Sequence, residues 1–538
     1  MDAVKNNVDC LIIGNNQMNF PEYVRNIRKM GEKSGAFRDL NLSFYEEDGR
    51  IISCKDYFNE HYKDASSNEM SYDNIFSATI TYLCSFLHKH NYSSAYINSF
   101  QEEKEKLKSL LKDTRFGIIA ITTTYYVSAL PIQEIVEFVK KYQPDTKIII
   151  GGPYIQTQNE IHDHSSLRFL TQQLGADFYV ISAQGEQAMV KVLTALKENG
   201  TFDHINNLVY KDGEDYVFNH MHEEDNDLSE NPVNWDLFRQ DFIEKERKMV
   251  MVRSVNSCPF SCTFCSFPAH AGAFRYVPPE HLCCELDQIA SIEQINSVTF
   301  IDDTFNVPLR RYKEILRLLL EKKYNFRWNC NFRCQYADYE SVALMKEAGC
   351  EGVFLGIESG SEPILKNMNK RAKIEDYQNG IALLREHGIA TYASFIIGFP
   401  GETEETVQDT IEFIETCKPD FFRAQLWYYD TMTPIHKEAD KFGLKNSQFE
   451  WEHNTMNAAE AAEWIDYMHL NIKNSVWLPQ NDFDYPSLFN LMSRGWTVPQ
   501  IKEMLIPFNE KVNQKLRPET GAKVFVDEAM LQDTGFEF

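Results

Sequence analysis

Met249-Val250-Met251-Val252, followed closely by Ser257-Cys258-Pro259-Phe260-Ser261-Cys262-Thr263-Phe264-Cys265-Ser266-Phe267-Pro268, decides how this chain is read. An apolar run of strand length leads into three thiols spaced Cys-x3-Cys-x2-Cys. Three thiolates in a loop at a strand end can hold three irons of a [4Fe–4S] cube and leave the fourth iron without a protein ligand. An iron with an open position can bind and activate a substrate or cofactor, whereas a four-cysteine cluster only moves electrons. A structural zinc site would want a fourth Cys or His at matching spacing. The next candidates, His270 and the pair Cys283-Cys284, do not repeat it. A disulfide suits a secreted protein, and nothing in the chain reads as secreted.

Beyond the triplet, apolar runs alternate with helical stretches. Ser297 to Ile301 runs into Asp302-Asp303-Thr304, Phe326 to Cys330 precedes Arg333 and Cys334, and Gly352 to Ile357 ends in Glu358-Ser359-Gly360. Thr391 to Ile397 ends in Gly398-Phe399-Pro400-Gly401-Glu402, and Asp420 to Leu426 makes a sixth strand. Six βα units predict a partial (β/α)6 barrel over residues 248–440, with chemistry at the carboxyl ends of its strands. Carboxylates at strand ends, here Asp302, Asp303 and Glu358, can accept hydrogen bonds from ammonium and hydroxyl groups. Arg253, Arg333 and Arg423 lie in or just after strands, and a buried Arg needs an anion, either a protein carboxylate or a ligand. Two of them facing one cavity would make the substrate anionic.

Upstream, Val8 to Ile13, Ala95 to Asn98, Gly117 to Ile121, Lys147 to Ile150 and Asp177 to Ile181 are short apolar runs separated by helical patterns. Such continuous runs belong to strands covered on both faces, so residues 1–220 read as an α/β doubly wound, Rossmann-like parallel sheet. Ligands of these sheets lie beyond the carboxyl ends of the strands. The ends here are small or hydroxylated: Gly14, Thr122 and Thr123, Gly151-Gly152-Pro153, and Gln184-Gly185-Glu186. Glycine lets a ligand approach the backbone closely, but no G-x-G-x-x-G follows the first strand, which disfavours a dinucleotide. The acidic stretch 221–247 reads as a linker, and residues 441–538 as a small helical cap with aromatic loops.

The 538 residues carry a net charge of −25 with a pI near 5.0, which argues against a nucleic-acid partner, since phosphate binding needs a basic face. No basic-then-apolar leader opens the sequence, and no apolar stretch approaches the ~20 residues of a membrane span. Twelve cysteines, scattered apart from the central three, suit a reducing cytoplasm. The expectation is a soluble cytoplasmic enzyme, monomeric, without a membrane or nucleic-acid partner.

The cysteine spacing, with Phe264 just before the third thiol, resembles the radical S-adenosylmethionine (AdoMet) superfamily. That resemblance implies a [4Fe–4S] cluster on Cys258, Cys262 and Cys265. It also implies AdoMet held around Phe264, Asp302, Asp303, Glu358, Ser359, Gly398 and Pro400. The sheet placed before the barrel resembles the cobalamin-binding domain of B12-dependent members. Cobalamin would then contact Gly14, Thr122, Thr123, Gly151, Gly152, Pro153, Gln184, Gly185 and Glu186. Cobalamin mutases supply a histidine to cobalt from Asp-x-His-x-x-Gly, and no Asp-x-His occurs in this chain, so the cobalt would take none from that motif.

Further stretches, among them Gly35 to Leu42, Phe421 to Tyr428, Trp451 to Met456 and Ser475 to Asn481, look like the radical AdoMet P-methyltransferases of phosphinothricin-type biosynthesis. The resemblance implies methyl transfer from AdoMet through cobalamin to an unactivated P or C centre of a small, anionic, phosphinate-like substrate. It also implies a flavodoxin- or ferredoxin-like external reductant. A cobalamin-dependent enzyme that methylates or rearranges carbon in a peptide-linked or other natural product is the alternative. A non-catalytic cobalamin-binding protein is the alternative of another class, and the intact triplet argues against it.

Overall fold

The computed structural model describes residues 6–62, 69–124, 126–222, 224 and 227–517. Two seven-stranded sheets organise them. The first is built from β1 (Asn6–Asn15), β2 (Ser94–Ser99), β3 (Thr114–Thr122), β4 (Ile148–Gly151), β5 (Phe178–Val180), β6 (Leu208–Asp212) and β7 (Asp215–Phe218). Its order is β2-β1-β3-β4-β5-β6-β7, parallel through β5. The Lys211–Asp215 hairpin then adds β6 and β7 antiparallel at the edge. The β2-β1-β3-β4-β5 core has the strand order of doubly wound folds, with its switch point at the ends of β1 and β3. The strands are apolar on both faces because helices cover both: Cys10, Ile12 and Ile118 pack one way, Leu11, Ile13 and Ile119 the other.

The second sheet runs β8 (Met249–Val252), β9 (Ser297–Phe300), β10 (Arg327–Asn331), β11 (Cys350–Glu358), β12 (Ala390–Ile397) and β13 (Phe421–Leu426), all parallel and in chain order. This is the six-strand open barrel expected. A two-residue strand that the sequence does not announce, β14 (Val476–Trp477), extends it parallel to β13. The intervening helices carry their own start signals. Thr403 and Thr406 form a capping box on the helix Glu404–Cys417, as Asp338 and Ser341 do on Tyr339–Glu347.

The polar connection after β1 proves to be structured. Residues 20–61 form the helices Phe20–Arg28 and Gly35–Leu40, a hairpin of Phe44–Glu47 and Arg50–Ser53, and the helix Cys54–His61. Side chains of Asn19, Ser34 and Ser53 cap the three helices. This crossover leaves the first sheet and packs against the barrel. Tyr45, Tyr57 and Phe58 share a core with Met249 and Met251 of β8 and Phe421 of β13. The helix Val498–Leu516 completes that core with Ile501, Met504 and Phe508, so the gap between the barrel's two edges is filled.

Trp235, Phe238 and Phe242, within the stretch expected as a linker, are buried in the main core. Lys245 and Arg247 close the junction through Asp73, Glu103 and Asp241 at 2.6–2.9 Å. The expected helices of the C-terminal region appear as Ala458–Asn471 and Val498–Leu516, with a further one at Tyr485–Ser493. Residues 518–538 of that region lie outside the described residues. No described helix is long and apolar enough to cross a membrane.

Candidate active site at the facing strand ends

The cysteine loop is pinched at its base. Val255 and Asn256 pair antiparallel with Tyr276 and Arg275, and the Asn256 amide donates to the Ala271 carbonyl at 2.9 Å. Ser257 enters the loop at φ +64°. From outside, the Thr263 amide donates to Met368 O and its hydroxyl to Asn367 O, while the Ile435 amide donates to Thr263 O. Asn369 donates to Ser261 O at 2.8 Å. Cys262 is buried and Cys258 and Cys265 half-buried. Burial raises the Cys258 thiol and pushes Cys265 to about 11, opposed in each by one backbone hydrogen bond. All twelve cysteines are unpaired. Among the described residues no three His, Cys, Asp or Glu are grouped to hold a single metal ion. Three thiols on one anchored loop, without a fourth ligand, fit an iron–sulfur cluster taking one thiolate per iron better than zinc.

The carboxylates at the strand ends differ in employment. Asp302 accepts from the amides of Ser254 and Val255 at 2.7 and 2.8 Å and from the Ser254 hydroxyl. Arg311 donates to the carbonyl and hydroxyl of the same serine. Burial raises the Asp302 carboxyl, offset by Arg311 and these donors. Asp302 therefore clamps the backbone between β8 and the cysteines. Asp303, beside it, has no such partners among the described residues. It is exposed at the strand end, and partial desolvation of its carboxyl by the surrounding protein, with repulsion from Asp302, pushes it up to about 6. Glu358 ends β11 at φ +72° and pairs with Lys370 at 2.8 Å, both nearly buried. Lys370 in turn lies 5.5 Å from the Phe264 ring, which meets Phe399 edge-on at 6.4 Å. Ser359 is fully buried, accepting from the Ser361 amide. Gly398 adopts φ +93°, and a Cβ there would stand 2.3 Å from Trp451. Its amide donates to Glu402, its carbonyl faces His453 Nε2 at 3.1 Å, and Pro400 O accepts from Asn367.

On the first sheet, Gly14 is held by packing: a Cβ would meet Asn98 O at 2.7 Å. The Thr122 hydroxyl donates to Ile13 O, and Thr123 donates to Gly151 O through both its amide and its hydroxyl at 3.0 Å. Gly152, at φ +114°, starts the helix Pro153–Ile161 with Pro153 at its first turn. Gly185 caps the helix Glu186–Glu198, where a Cβ would strike Val180. Glu224 accepts from the first free amides of that helix, Gln187 and Ala188.

These ends face the cysteine loop. The helix Pro153–Ile161 lies on the short helix Phe267–His270 that directly follows Cys265. Gln156 Nε2 donates to His270 O at 3.4 Å, and Glu160 lies 3.3 Å from His270 Nδ1. Nearby, a cavity of about 280 Å³ is lined from one sheet by Ala183 and Gln184 and from the other by Asn256, Gly272 and Arg275.

The three arginines do not converge. Arg253 stacks over Tyr82 at the junction of the two sheets, 5.0 Å from the ring. Arg333 lies 3.6 Å over Phe260 of the cysteine loop and donates to Lys370 O. Arg423 is fully buried and paired with Asp39 of the crossover at 3.0 Å. Cys334 is a packed core thiol, raised by burial. Sequence reasoning missed Lys370, Glu402 and Glu224. Only Glu402 had a signal, its place in the Gly-Phe-Pro-Gly-Glu turn.

Residues 252–414 match the radical SAM superfamily model. The chain is 24% identical over 393 residues to the anaerobic magnesium-protoporphyrin IX monomethyl ester cyclase of Rubrivivax gelatinosus, covering 70% of this chain and 68% of that protein. It is 25% identical over 308 residues to an uncharacterized methyltransferase of Pyrococcus horikoshii, covering 57% and 64%. It thus spans about two thirds of the length of these curated relatives. Among solved structures, the radical S-adenosylmethionine methyltransferase TsrM from Kitasatospora setae, with cobalamin and a [4Fe-4S] cluster bound, superposes at TM-score 0.58. Identity is 16%, over 73% of this chain and 79% of that one. The cobalamin-dependent S-adenosylmethionine radical enzyme OxsB, with aqua-cobalamin bound, does so at 0.54 and 15%, over 83% and 68%. The chain carries a radical SAM domain over residues 252–414 and shares its fold with the cobalamin-bound radical S-adenosylmethionine enzymes TsrM and OxsB.

Proposed function

We propose that this protein is a cobalamin-dependent radical SAM methyltransferase acting on an unactivated P or C centre of a small anionic substrate. The observation that carries this reading is the direct packing of the Gly152-started helix on the helix that follows Cys265. It brings the ligand end of a doubly wound sheet against a three-thiol loop. When bound, the cluster with AdoMet would supply a 5′-deoxyadenosyl radical, and the corrin a transferable methyl group. Cys258, Cys262 and Cys265 would hold the cluster. Phe264, Asp303, Glu358 with Lys370, and the Gly398–Pro400 turn would line AdoMet, while Asp302 keeps the loop in place from behind. Thr123, Gly151, Gly152 and Gln184 would face the corrin. An external flavodoxin- or ferredoxin-like protein would reduce the cluster.

A carbon acceptor in a natural product is the second reading. It is favoured by TsrM, whose solved structures include one with a tryptophan substrate bound. Anaerobic reconstitution tests both: about four irons and one cobalt per chain, with 5′-deoxyadenosine formed from AdoMet, are expected. Deuterated methyl from labelled AdoMet should then appear on a P–H compound or on tryptophan, which separates the two readings. Cobalt without iron would sink the catalytic proposal, and iron without cobalt the methyl-transfer route.

A further inference from the structure

We infer that His453, from the C-terminal region, is a positioning residue for AdoMet that fixes the Gly398–Pro400 turn against the cysteine loop; this rests on the reading that the turn lines AdoMet. Glu452 and His453 pair antiparallel with Asn457 and Met456, and Asn457 caps the helix Ala458–Asn471 that follows. His453 is therefore held by regular structure on both sides of its turn. Its ring is buried and lies parallel to Trp451, with centroids 5.3 Å apart and planes within 4°.

The neighbours of the ring decide which nitrogen carries the hydrogen. The Thr455 amide can only donate, and it reaches Nδ1 at 3.4 Å, beside the Thr455 hydroxyl at 3.1 Å. Nδ1 is thus the acceptor, and Nε2 donates to Gly398 O at 3.1 Å. Burial disfavours the charged ring, so His453 is neutral and in one tautomer.

Gly398 sits at φ +93°, packed against the Trp451 ring. Its amide belongs to the peptide before it and donates to Glu402; its carbonyl belongs to the peptide after it and accepts from His453. Peptide units are planar, so fixing both planes fixes the two dihedrals between them. Two links carry that setting to the cysteine loop. Phe399 meets Phe264, next to Cys265, edge-on at 6.4 Å. Asn367 donates to Pro400 O at 3.0 Å and accepts from the Thr263 hydroxyl at 2.7 Å. Without its donor the Gly398 carbonyl must turn to find another, because a buried acceptor left unmet is costly. That rotation would move Phe399 and Pro400 relative to the thiols, and displacements of this kind weaken a positioned ligand.

The test uses the anaerobically reconstituted protein. Equilibrium dialysis against labelled AdoMet gives its Kd, and 5′-deoxyadenosine formation gives KM and kcat. His453→Phe keeps a ring on Trp451 but has no donor, and should raise Kd and KM for AdoMet about fivefold or more, as one unmet buried acceptor implies. His453→Asn, whose amide is too short to stand where Nε2 stands, should do the same. His453→Gln, whose amide nitrogen can stand there, should remain within about twofold of wild type. Iron per chain should be unchanged in all three. A merely structural role would lower Tm and the yield of folded enzyme but leave Kd and KM of the folded fraction unmoved. His453→Phe and His453→Asn within about twofold of wild type, or His453→Gln as weak as His453→Phe, overturns the inference. If His453→Phe does not fold, His453→Asn against His453→Gln decides. AdoMet bound equally by wild type and variants refutes this role alone, whereas no AdoMet bound by the wild type refutes the reading on which it rests, and the role with it.

Discussion

Replacing Asp302 should loosen the approach to the cysteine loop without touching a thiol. Its carboxylate holds two amides, at 2.7 and 2.8 Å, and one hydroxyl. A hydrogen bond to a charged group is worth about 1.5–3 kcal/mol, so the three together amount to about 4.5–9 kcal/mol. Alanine also removes the charge that offsets the burial of Arg311. That sum is comparable with the ~5–15 kcal/mol that keeps a domain folded, so Asp302→Ala should yield little folded protein. Asp302→Asn is the informative variant. The two amides converge on Oδ1, which an asparagine oxygen can still serve, but without charge. Each then loses about 1–1.5 kcal/mol, the gap between charged and neutral acceptors. The amides of Ser254 and Val255 should exchange about 5- to 12-fold faster. Hydrogen–deuterium exchange on peptides covering residues 249–257, with iron content per reconstituted chain, reads both effects. Exchange within twofold of wild type and undiminished iron in Asp302→Asn, with Asp302→Ala folding normally, would refute the clamp.

Glu402 is buried with its carboxyl pushed up to about 8 by burial, against two backbone donors. The native state then holds a proton that the unfolded chain releases near ~4.3. Stability should therefore fall as pH rises from about 4.5 to 8, and Glu402→Gln should flatten that part of the Tm–pH curve; an unchanged slope counts against it. Asp482 sits at φ +67° with neither carboxylate oxygen hydrogen-bonded, and burial raises it to about 7. Asn tolerates this backbone, and the penalty on the carboxyl builds from its unfolded value near ~3.9 up to about 7, so Asp482→Asn should raise Tm clearly more at pH 8.5 than at pH 5.5. A gain equal at both pH values would show that charge is not the cause. Gly398→Ala places a Cβ 2.3 Å from Trp451 at φ +93°. It should cost about 3 kcal/mol or more and lower Tm by about 3 °C or more, so a melt within about 1 °C of wild type would contradict the packing described.

The strand-bearing half of this architecture is legible because its signals are local. Ile148 to Ile150 and Val298 to Phe300 are apolar runs of strand length, and the triplet at 258–265 is a spacing that little else uses. The crossover is illegible for the opposite reason. Its helices and hairpin are short and mixed in polarity, and they are stabilised by residues hundreds of positions away. β14 has only two residues and exists because β13 offers an edge. The same limit explains the site. Asp302 and Asp303 are neighbours of one residue type, yet one is buried against backbone amides and the other is exposed. The three arginines look alike in sequence, and only their placement shows that Tyr82, Phe260 and Asp39 claim them one by one. Lys370 carries no signal, because only the fold brings it to Glu358.

The crossover also sets an order of events during synthesis. Glu47 of its hairpin pairs with Lys511, 464 residues later, and Tyr45 rests on Phe508 at 5.8 Å. At translation rates of roughly 5–20 residues per second, the hairpin waits about 20–90 s for the helix that covers it. The first sheet can form early from near neighbours, but the barrel's gap stays open until that last helix emerges. Chains stalled or cut before residue 498 should therefore expose Tyr45, Tyr57 and Phe58 together with the barrel edge, a patch for chaperones to shield and for proteases to find.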